Sequence, residues 1–363
     1  MTNWFRKTWT PWIVSPSSSS PSKWPSPLAP PKEQPLKTPS PQAHEVLNLD
    51  CERASQEIQK WIKETVGRRF HKKGIVLGIS GGIDSSCVAA LCAQALGPKR
   101  VQGLLMPEGD SASSEESTHL GCLLAESQDI DVILEDIGPA LEACGCYRRR
   151  DEAIRGVIPA YGPGWRSKIV LPSVIDSDQY RVFSVIAVSP EGEEVKARLN
   201  PKASQGIVAA TNYKQRIRKT TEYYHADRLN YLVAGTPNRL EYDQGFFVKG
   251  GDGLADIKPI AHLYKTQVYQ LAEYLGVPTE ICERPPTTDT YSLPQTQEEF
   301  YFSLPYDQMD LCLWAKNHDR SAAEVSALIG LSELQVERVF RDIEGKRKVA
   351  YHLHHEPVLF KAI

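Results

Sequence analysis

Hydrophobic and polar positions follow two different periods in the chain beyond its first fifty residues. Apolar side chains recur at helical spacing at Ile58, Trp61, Ile62 and Val66, which predicts an amphipathic helix over residues 52–67. Short apolar runs predict strands at residues 75–79, 101–106, 131–137 and 229–234, and the first of them is typical of a strand buried on both faces. Because helical stretches separate these runs, we predict an α/β fold, with a doubly wound parallel sheet and helices on both faces. Ligands of such a sheet bind at the carboxyl ends of its strands.

The chain departs from this alternation between residues 147 and 205, where we expect an insertion. It contains an apolar run at residues 169–174. Two further runs, at residues 180–188 and 194–199, flank the turn sequence Ser-Pro-Glu-Gly and predict an inserted β-hairpin. The pattern leaves open whether the insertion is a lid, a dimer contact or an addition without a function of its own.

The last part of the chain, residues 303–363, is expected to be helical. One helix is predicted near residues 309–316, followed by two helices on either side of Gly330. The pair resembles the helix-turn-helix of DNA-binding proteins. We favour a structural interpretation, in which this region belongs to the same domain as residues 45–302.

Residues 1–44 have a composition that cannot build a hydrophobic core. Ten prolines and eight serines fall in this stretch, and no acidic residue precedes Glu33, so we expect a disordered tail. The stretch also contains four tryptophans, which are unusual in so polar a segment. The tail could therefore dock on a surface through these side chains. A transit peptide would also be rich in serine and poor in acids, so a targeting role stays open as well.

Composition narrows the class of protein. The chain has 363 residues, a net charge of −3 and 24% charged residues, which permits one sizeable α/β domain with appendages. The balance of charge does not favour nucleic acid as a partner, and no apolar stretch approaches the roughly 20 residues of a membrane helix. The eight cysteines lack paired metal-ligand spacing. We therefore expect a cytoplasmic enzyme with reduced thiols.

The sequence GIVLGISGGIDSS, residues 74–86, carries the clearest chemical signal. A strand-like run ends in a Ser-Gly-Gly turn, and Asp84, Ser85 and Ser86 then open a helical stretch. Glycines at this point let the backbone approach an anion closely, and a helix N-terminus presents N–H groups to it. The segment has neither the Walker loop nor the G-x-G-x-x-G pattern of dinucleotide folds. We interpret it as a phosphate-binding loop.

The S-G-G-x-D-S motif resembles that of the ATP pyrophosphatases, which cleave ATP between the α and β phosphates to adenylate a substrate. The resemblance implies an adenine nucleotide alpha hydrolase-like fold. It also implies ATP contacts along the loop, at Gly78, Ile79, Ser80, Gly81, Gly82, Ile83, Asp84 and Ser85. Several different acceptors are used by enzymes with such loops, so the motif alone gives only the reaction type.

The stretch LVAGTPNRLEYDQGFFVKGGDGLADIKPIAHLYKTQVYQLAEYLGVP, from Leu232 onward, resembles the ammonia-dependent NAD synthetases. The likeness extends from about residue 74 to residue 302, apart from the insertion. It implies ATP-dependent amidation of deamido-NAD by ammonia through an adenylated carboxylate, with NAD, AMP and pyrophosphate as products. It also implies a homodimer. Since no glutaminase domain is visible, we expect free ammonia or a separate partner to supply the nitrogen.

The same resemblance implies roles for individual residues. Asp84 and Lys265 would be the catalytic pair, with Mg²⁺ on the phosphates held by Asp84 and Glu241. Further ATP contacts would come from Thr236, Lys265 and Thr287, and deamido-NAD would be bound by Arg216, Lys249, Asp256 and Lys346. Chemistry supports cations at this place independently, because negative charge accumulates on the departing pyrophosphate. Two oxygen ligands also suit Mg²⁺, which usually keeps several waters.

Each assignment has an ordinary structural alternative. Asp84 could simply cap a helix, and Arg216 belongs to a basic cluster, residues 214–219, that could be solvated. Lys346 and Arg347 match the family ending, but Gly345 stands where the family has a histidine. This departure leaves open a related ligase that amidates another carboxylate. A non-catalytic or DNA-binding regulator on the same fold is the second alternative.

Overall fold

The structure is a computed structural model that describes residues 45–109, 114–172, 182–286, 290–302 and 304–361. The described residues lie in one compact unit. The predicted tail, residues 1–44, lies outside the described residues, and its proposed disorder stays a prediction.

Strands and helices alternate along the first part of the described chain. The strands are β1 (Ile75–Gly78), β2 (Val101–Leu105), β3 (Asp131–Leu134), β4 (Arg166–Val170), β5 (Ser184–Val188), β6 (Glu194–Arg198) and β7 (Leu232–Val233). The α-helices are α1 (Cys51–Lys63), α2 (Ile83–Leu96), α3 (Ser114–Ser127), α4 (Gly138–Ala143), α5 (Cys146–Arg155), α6 (Pro201–Leu229), α7 (Arg239–Gln244), α8 (Lys265–Tyr274), α9 (Thr279–Glu283), α10 (Tyr306–Asn317), α11 (Ala322–Ile329) and α12 (Glu333–His354). The helix predicted over residues 52–67 is confirmed, since α1 continues into a π-helix, Glu64–Arg69.

The central sheet has the strand order β3-β2-β1-β7, and every neighbouring pair is parallel. Ile75 of β1 is paired with Val101 on one side and with Leu232 on the other. The chain thus winds outward from β1 in one direction and later returns to its opposite side. In doubly wound sheets the ligand crevice opens at such a reversal, beyond the carboxyl ends of the two strands concerned.

Both faces of the sheet are covered at its central strand β1, as predicted. Ile75 and Leu77 of β1 join a core that includes Leu271 of α8. The intervening Val76 points to the opposite core, together with Ala226 of α6. Burial of successive strand residues on opposite faces explains the unbroken apolar run at this strand. The predicted α/β class is confirmed.

The predicted strand over residues 229–234 starts too early. Helix α6 continues to Leu229 and ends at Asn230, whose φ of 57° places it in the left-handed conformation that asparagine tolerates. The strand itself is only Leu232–Val233. The apolar run was therefore shared between the last turn of a helix and a short strand.

The insertion folds as a three-stranded antiparallel sheet of order β4-β5-β6. The β5–β6 hairpin confirms the predicted one, with Val188 paired to Glu194 across the turn. Strand β4 ends at Val170, and the rest of the apolar run that continues to residue 174 lies partly outside the described residues. Ile169, Val185 and Ala187 pack with Ile207 of α6, so the inserted sheet rests on the long helix.

The C-terminal helices α10, α11 and α12 agree with the predicted elements, and Gly330 turns the chain with a φ of 71°. Val325 of α11 and Val339 of α12 pack in one core with Leu240 of α7 and Tyr264, the residue before α8. The helix pair thus supports the elements that follow β7. This arrangement agrees with the structural interpretation of the region.

Within the described residues, no helix combines the length and apolar character needed to cross a membrane.

Candidate active site

A cavity of about 860 Å³ opens at the carboxyl ends of β1 and β2. It brings together most of the residues that the sequence singled out, although they come from distant parts of the chain. Those that line it are Gly78, Ile79, Ser80, Gly82, Ile83, Asp84, Ser85, Arg216, Thr236, Glu241, Lys249 and Lys265. Thr287 lies outside the described residues, so its ATP contact stays a prediction.

The phosphate-binding loop has the geometry that its glycines predict. Gly81 adopts a φ of 71°, and a Cβ atom there would meet the carbonyl oxygen of Ser117 at 2.6 Å. Gly82 is the N-cap of α2, and its carbonyl accepts hydrogen bonds from the hydroxyls of Ser85 and Ser86 at 3.0 and 2.9 Å. The loop therefore places the N-terminus of α2 at the cavity, where a helix attracts anions.

Asp84 lies at the centre of the polar contacts in the cavity. One carboxylate oxygen forms an ion pair with the ammonium group of Lys265. The other accepts a hydrogen bond of 3.0 Å from the side-chain amide of Asn238. Asn238 in turn caps α7 in a capping box with Glu241, whose carboxylate accepts a 3.2 Å bond from the Asn238 backbone N–H. The start of α7 is thereby held against the start of α2.

Charges at this place shift one another's protonation. Burial, and then the charge of Asp84, raises the pKa of the Glu241 carboxyl above its usual value. Burial lowers the pKa of Lys265, but Asp84 and Glu241 together raise it by more, so the net shift is upward. Lys265 is 1% exposed and stays a cation at neutral pH. The ammonium of Lys265 thus interacts with the charges of both Asp84 and Glu241.

A further buried carboxylate fixes the helix that carries Lys265. Asp310 of α10 accepts hydrogen bonds from the backbone N–H groups of Lys265 and Thr266, at 3.2 and 2.7 Å. These N–H groups belong to the first turn of α8 and have no partner within the helix. Burial raises the pKa of Asp310 to about 7. Sequence analysis missed this residue, because its partner lies 45 positions away.

Arg216 and Lys249 lie together on another side of the cavity. The Arg216 guanidinium donates to the backbone carbonyl of Lys249, with Nε and Nη2 each 3.3 Å from the oxygen. The ammonium of Lys249 donates to the carbonyls of His352 and His355 at the end of α12, at 2.7 and 3.2 Å. We call these two cations the positive edge of the cavity.

Two residues assigned to deamido-NAD lie outside the cavity lining. The carboxylate of Asp256 accepts bonds from the Val233 N–H at 2.7 Å and the Tyr223 hydroxyl at 3.3 Å, so it stabilises the edge of β7. Lys346 forms a 2.7 Å ion pair with Asp342 and donates to the Tyr301 carbonyl at 2.9 Å. Within one described chain, neither residue joins Arg216 at the cavity.

The basic cluster at residues 214–219 is only partly solvated, contrary to the alternative in which all of it is exposed to solvent. Lys214 forms a 2.8 Å ion pair with Glu108 in which the two side chains are 1% and 0% exposed. Lys219 pairs with Glu222 at 2.6 Å, and both line the cavity. A lysine and a glutamate three positions apart share a helix face, so this spacing could have indicated the second pair. Asp252, also missed, lies beside them in the lining.

Fold and site together define a nucleotide-binding α/β enzyme of the adenine nucleotide alpha hydrolase type, with a phosphate loop at the switch point of its sheet. The chain belongs to the NAD synthase family, whose sequence model matches residues 54–155 and 178–350. The resemblance noted from the sequence is thereby confirmed. The stretch that the family model leaves out, residues 156–177, falls inside the predicted insertion and contains β4.

Relatives with high identity support this membership. The chain is 56% identical over 314 residues to the NH(3)-dependent NAD(+) synthetase of Mesorhizobium japonicum, covering 86% of this chain and 98% of the relative. It is 58% identical over 296 residues to the protein of the same name from Rhizobium meliloti, covering 82% and 88%. Among solved structures, an NMN synthetase from Francisella tularensis aligns with a TM-score of 0.60 at 21% identity, over 86% of this chain and 99% of that one. This likeness shows the shared fold.

Proposed function

We propose that the protein catalyses the ATP-dependent amidation of deamido-NAD by ammonia, through an adenylated carboxylate, and releases NAD, AMP and pyrophosphate. The names of the relatives at 56% and 58% identity support the overall reaction. The observation that supports the mechanism is the single cavity in which Asp84, Glu241 and Lys265 meet the phosphate loop, with Arg216 and Lys249 nearby.

The first step is attack of the substrate carboxylate on the α phosphate of ATP, which breaks the bond to the β phosphate. In this proposal the N-terminus of α2 and the ammonium of Lys265, which both line the cavity, would stabilise the negative charge that develops on the leaving pyrophosphate. Both are held before ATP binds, Lys265 by its pair with Asp84 and by the anchoring of α8 on Asp310. Preorganised charges of this kind stabilise a transition state without a cost of reorganisation.

Mg²⁺ is part of this proposal, and the residues present fit it. Besides burial, the charge of Asp84 acts on the Glu241 carboxyl and raises its pKa, so the two carboxyl groups lie close enough to share one cation. Mg²⁺ is commonly held by one or two carboxylates plus substrate phosphates. Asp84 and Glu241 would hold it here, and the ion would neutralise charge on the phosphates.

In the second step ammonia attacks the acyl adenylate, and AMP leaves. The carboxyl carbon is already electrophilic in the mixed anhydride, so the protein has to position the two reactants and exclude water. Arg216 and Lys249 supply the positive edge that would hold the phosphates of the dinucleotide. Asp256 and Lys346 keep the role toward deamido-NAD that the sequence resemblance implies, and we also propose a homodimer. We also propose a cytoplasmic location.

The test is an assay of the purified protein with Mg²⁺-ATP, ammonia and deamido-NAD, in which AMP and NAD are followed together. Equal amounts of both products support the proposal. AMP formation with other carboxylates, but none with deamido-NAD, would replace the acceptor and keep the adenylation chemistry. No AMP with any carboxylate would refute the enzymatic function.

A related ligase that acts on another carboxylate is the second candidate. It is favoured by one observation: Lys346 packs away from the cavity, and Gly345 stands beside it where a histidine was expected. The panel of carboxylates in the same assay decides between the two acceptors.

A further inference from the structure

Strand β4 of the inserted sheet binds a segment outside its own sheet, residues 290–297, which we call the wall segment. The Leu293 N–H donates to the carbonyl of Ser167 at 3.2 Å, and the Ser167 N–H donates to the Ser292 hydroxyl at 2.9 Å. The side-chain amide of Gln295 donates to the carbonyl of Ile169. β4 is the outer strand of a three-stranded sheet, so the wall segment satisfies backbone groups that an edge strand leaves unpaired.

The wall segment is part of the cavity lining, through Thr290, Tyr291 and Gln297. Its Tyr291 ring packs on Phe300, with centroids 5.7 Å apart. Phe300 also packs on Phe183, the residue before β5, at 6.2 Å. A cluster of aromatic rings therefore joins the wall segment to the inserted sheet at the surface of the cavity.

A second anchor holds the wall segment from the opposite side. The buried ammonium of Lys214, on α6, donates to the carbonyl of Thr290 at 2.8 Å while it pairs with Glu108. The same helix carries Arg216 two residues later. Phe300 also contacts Phe246, at 5.8 Å, close in sequence to Lys249. The wall segment thus lies beside the elements that carry the positive edge.

We propose that β4 is a positioning element for the dinucleotide side of the cavity, which holds residues 290–297 in the conformation that binds substrate. The proposal rests on the proposed function and adds to it a role for β4, which lies within the residues 156–177 that the family model leaves out. A segment that is ordered before binding loses less conformational entropy when the ligand binds. Loss of the anchoring should therefore lower the affinity for substrate. The rate of the chemical step depends on Asp84 and Lys265, which β4 does not touch.

The experiment compares Gln295→Met and Ser292→Ala with the matched control Gln94→Met. Gln295 and Ser292 are 2% and 6% exposed. Gln295→Met removes the bond to the Ile169 carbonyl. Ser292→Ala removes the hydroxyl that accepts from the Ser167 N–H and donates to the Ser167 carbonyl, and both substitutions change the size of the side chain little. Gln94 also donates from its side-chain amide to a distant backbone carbonyl, that of Leu275, but it lies away from the cavity. For each protein, kcat, the KM values for deamido-NAD and ATP, and the melting temperature are measured.

We expect Gln295→Met to raise the KM for deamido-NAD about tenfold, with kcat and the KM for ATP changed by less than about threefold. Ser292→Ala should shift the same constant in the same direction by a smaller factor. Gln94→Met should change only the melting temperature. If Gln295→Met fails to fold, Ser292→Ala carries the test alone.

Variants whose KM for deamido-NAD equals that of the Gln94 control would overturn the positioning role of β4. So would a rise confined to the KM for ATP, because the wall segment would then serve the other substrate. Failure of the proposed function is distinguishable, since the wild-type protein itself would then form no AMP.

Discussion

At the scale of single residues, Asp84 has two partners that explain why its charge and its shape are both needed. One oxygen meets the Lys265 ammonium, and the other accepts a bond from Asn238. Asparagine can keep the bond to Asn238 through its oxygen, but its neutral amide cannot balance the charge of the lysine and binds a divalent cation more weakly than a carboxylate does. The two contributions are therefore separable by substitution.

We predict that Asp84→Asn lowers kcat for AMP release by about 100-fold or more, with the melting temperature within a few degrees of wild type. Asp129→Asn is the matched control, because Asp129 is exposed and adopts a φ of 53° that asparagine also tolerates. The prediction is tested by measuring the turnover of both variants under saturating Mg²⁺-ATP. An Asp84→Asn enzyme with unimpaired turnover would remove Asp84 from the catalytic pair.

Gly81 gives a second prediction at this scale. Gly81→Ala must adopt a positive φ and displace the Ser117 carbonyl, 2.6 Å from the new Cβ atom, so we expect a loss of about 1–2 kcal/mol in the free energy of unfolding. ATP affinity should fall as well. Gly67→Ala is the control, since a Cβ atom there meets nothing within 4 Å, and it should be neutral or stabilising. Urea titration and nucleotide binding measure both; equal stabilities would show that the loop relaxes freely.

At the scale of elements, the sequence predicted where strands and helices occur better than where they end. The apolar run of β1 indicated a strand buried on both faces, and that is confirmed. The run of β3 predicted a strand but did not indicate that it lies at the edge of the sheet. In the structure Val132 and Leu134 of this strand are 36% and 62% exposed. Periodicity reports the character of a segment, whereas strand order depends on contacts between segments that are far apart in sequence.

The same limit applies to the candidate site. The phosphate loop was predictable, because glycine, acid and hydroxyls stand next to one another in the sequence. Asp310 was not, since its carboxylate serves the first turn of a helix 45 residues away. The resemblance named Asp256 and Lys346, but the contacts of one described chain place both outside the cavity.

The anchoring of α8 by Asp310 leads to a prediction about pH. Burial raises the pKa of Asp310 from 3.8 to about 7 in the folded state, so the folded protein binds a proton that the unfolded chain has lost. The resulting stability is present below pH 3.8 and is lost as the pH rises toward 7. Asp310→Asn lacks this titration and leaves one helical N–H without an acceptor, at a cost of about 1–3 kcal/mol.

We therefore expect Asp310→Asn to be less stable than wild type, by a margin that is larger at pH 5 than at pH 8. Urea unfolding at the two pH values measures the margin. Glu324→Gln is the opposite control, because hydrogen bonds from the Ser321 backbone and hydroxyl lower the pKa of Glu324, and its margin should shrink as the pH falls. If the stability difference between wild type and Asp310→Asn were larger at pH 8 than at pH 5, the raised pKa of Asp310 would be contradicted.

At the scale of the whole molecule, the first 44 residues are expected to be dispensable for catalysis. The family model begins at residue 54, and the relative from Mesorhizobium japonicum is matched over 98% of its length by 86% of this chain. We predict that deletion of residues 1–44 leaves kcat and both KM values within about twofold of the full chain. A large loss of kcat would show that the tail belongs to the active enzyme.

The ion pair between Asp84 and Lys265 joins residues 181 positions apart. The phosphate loop forms locally, from one strand and the helix after it, but its lysine arrives only when β7 and α8 have been added to the sheet. Contacts of such high sequence separation form slowly, because a long loop must first be closed. A partly folded or interrupted chain would hold a nucleotide-binding turn without the cation that completes it. The chain can therefore consume ATP only after its fold is complete.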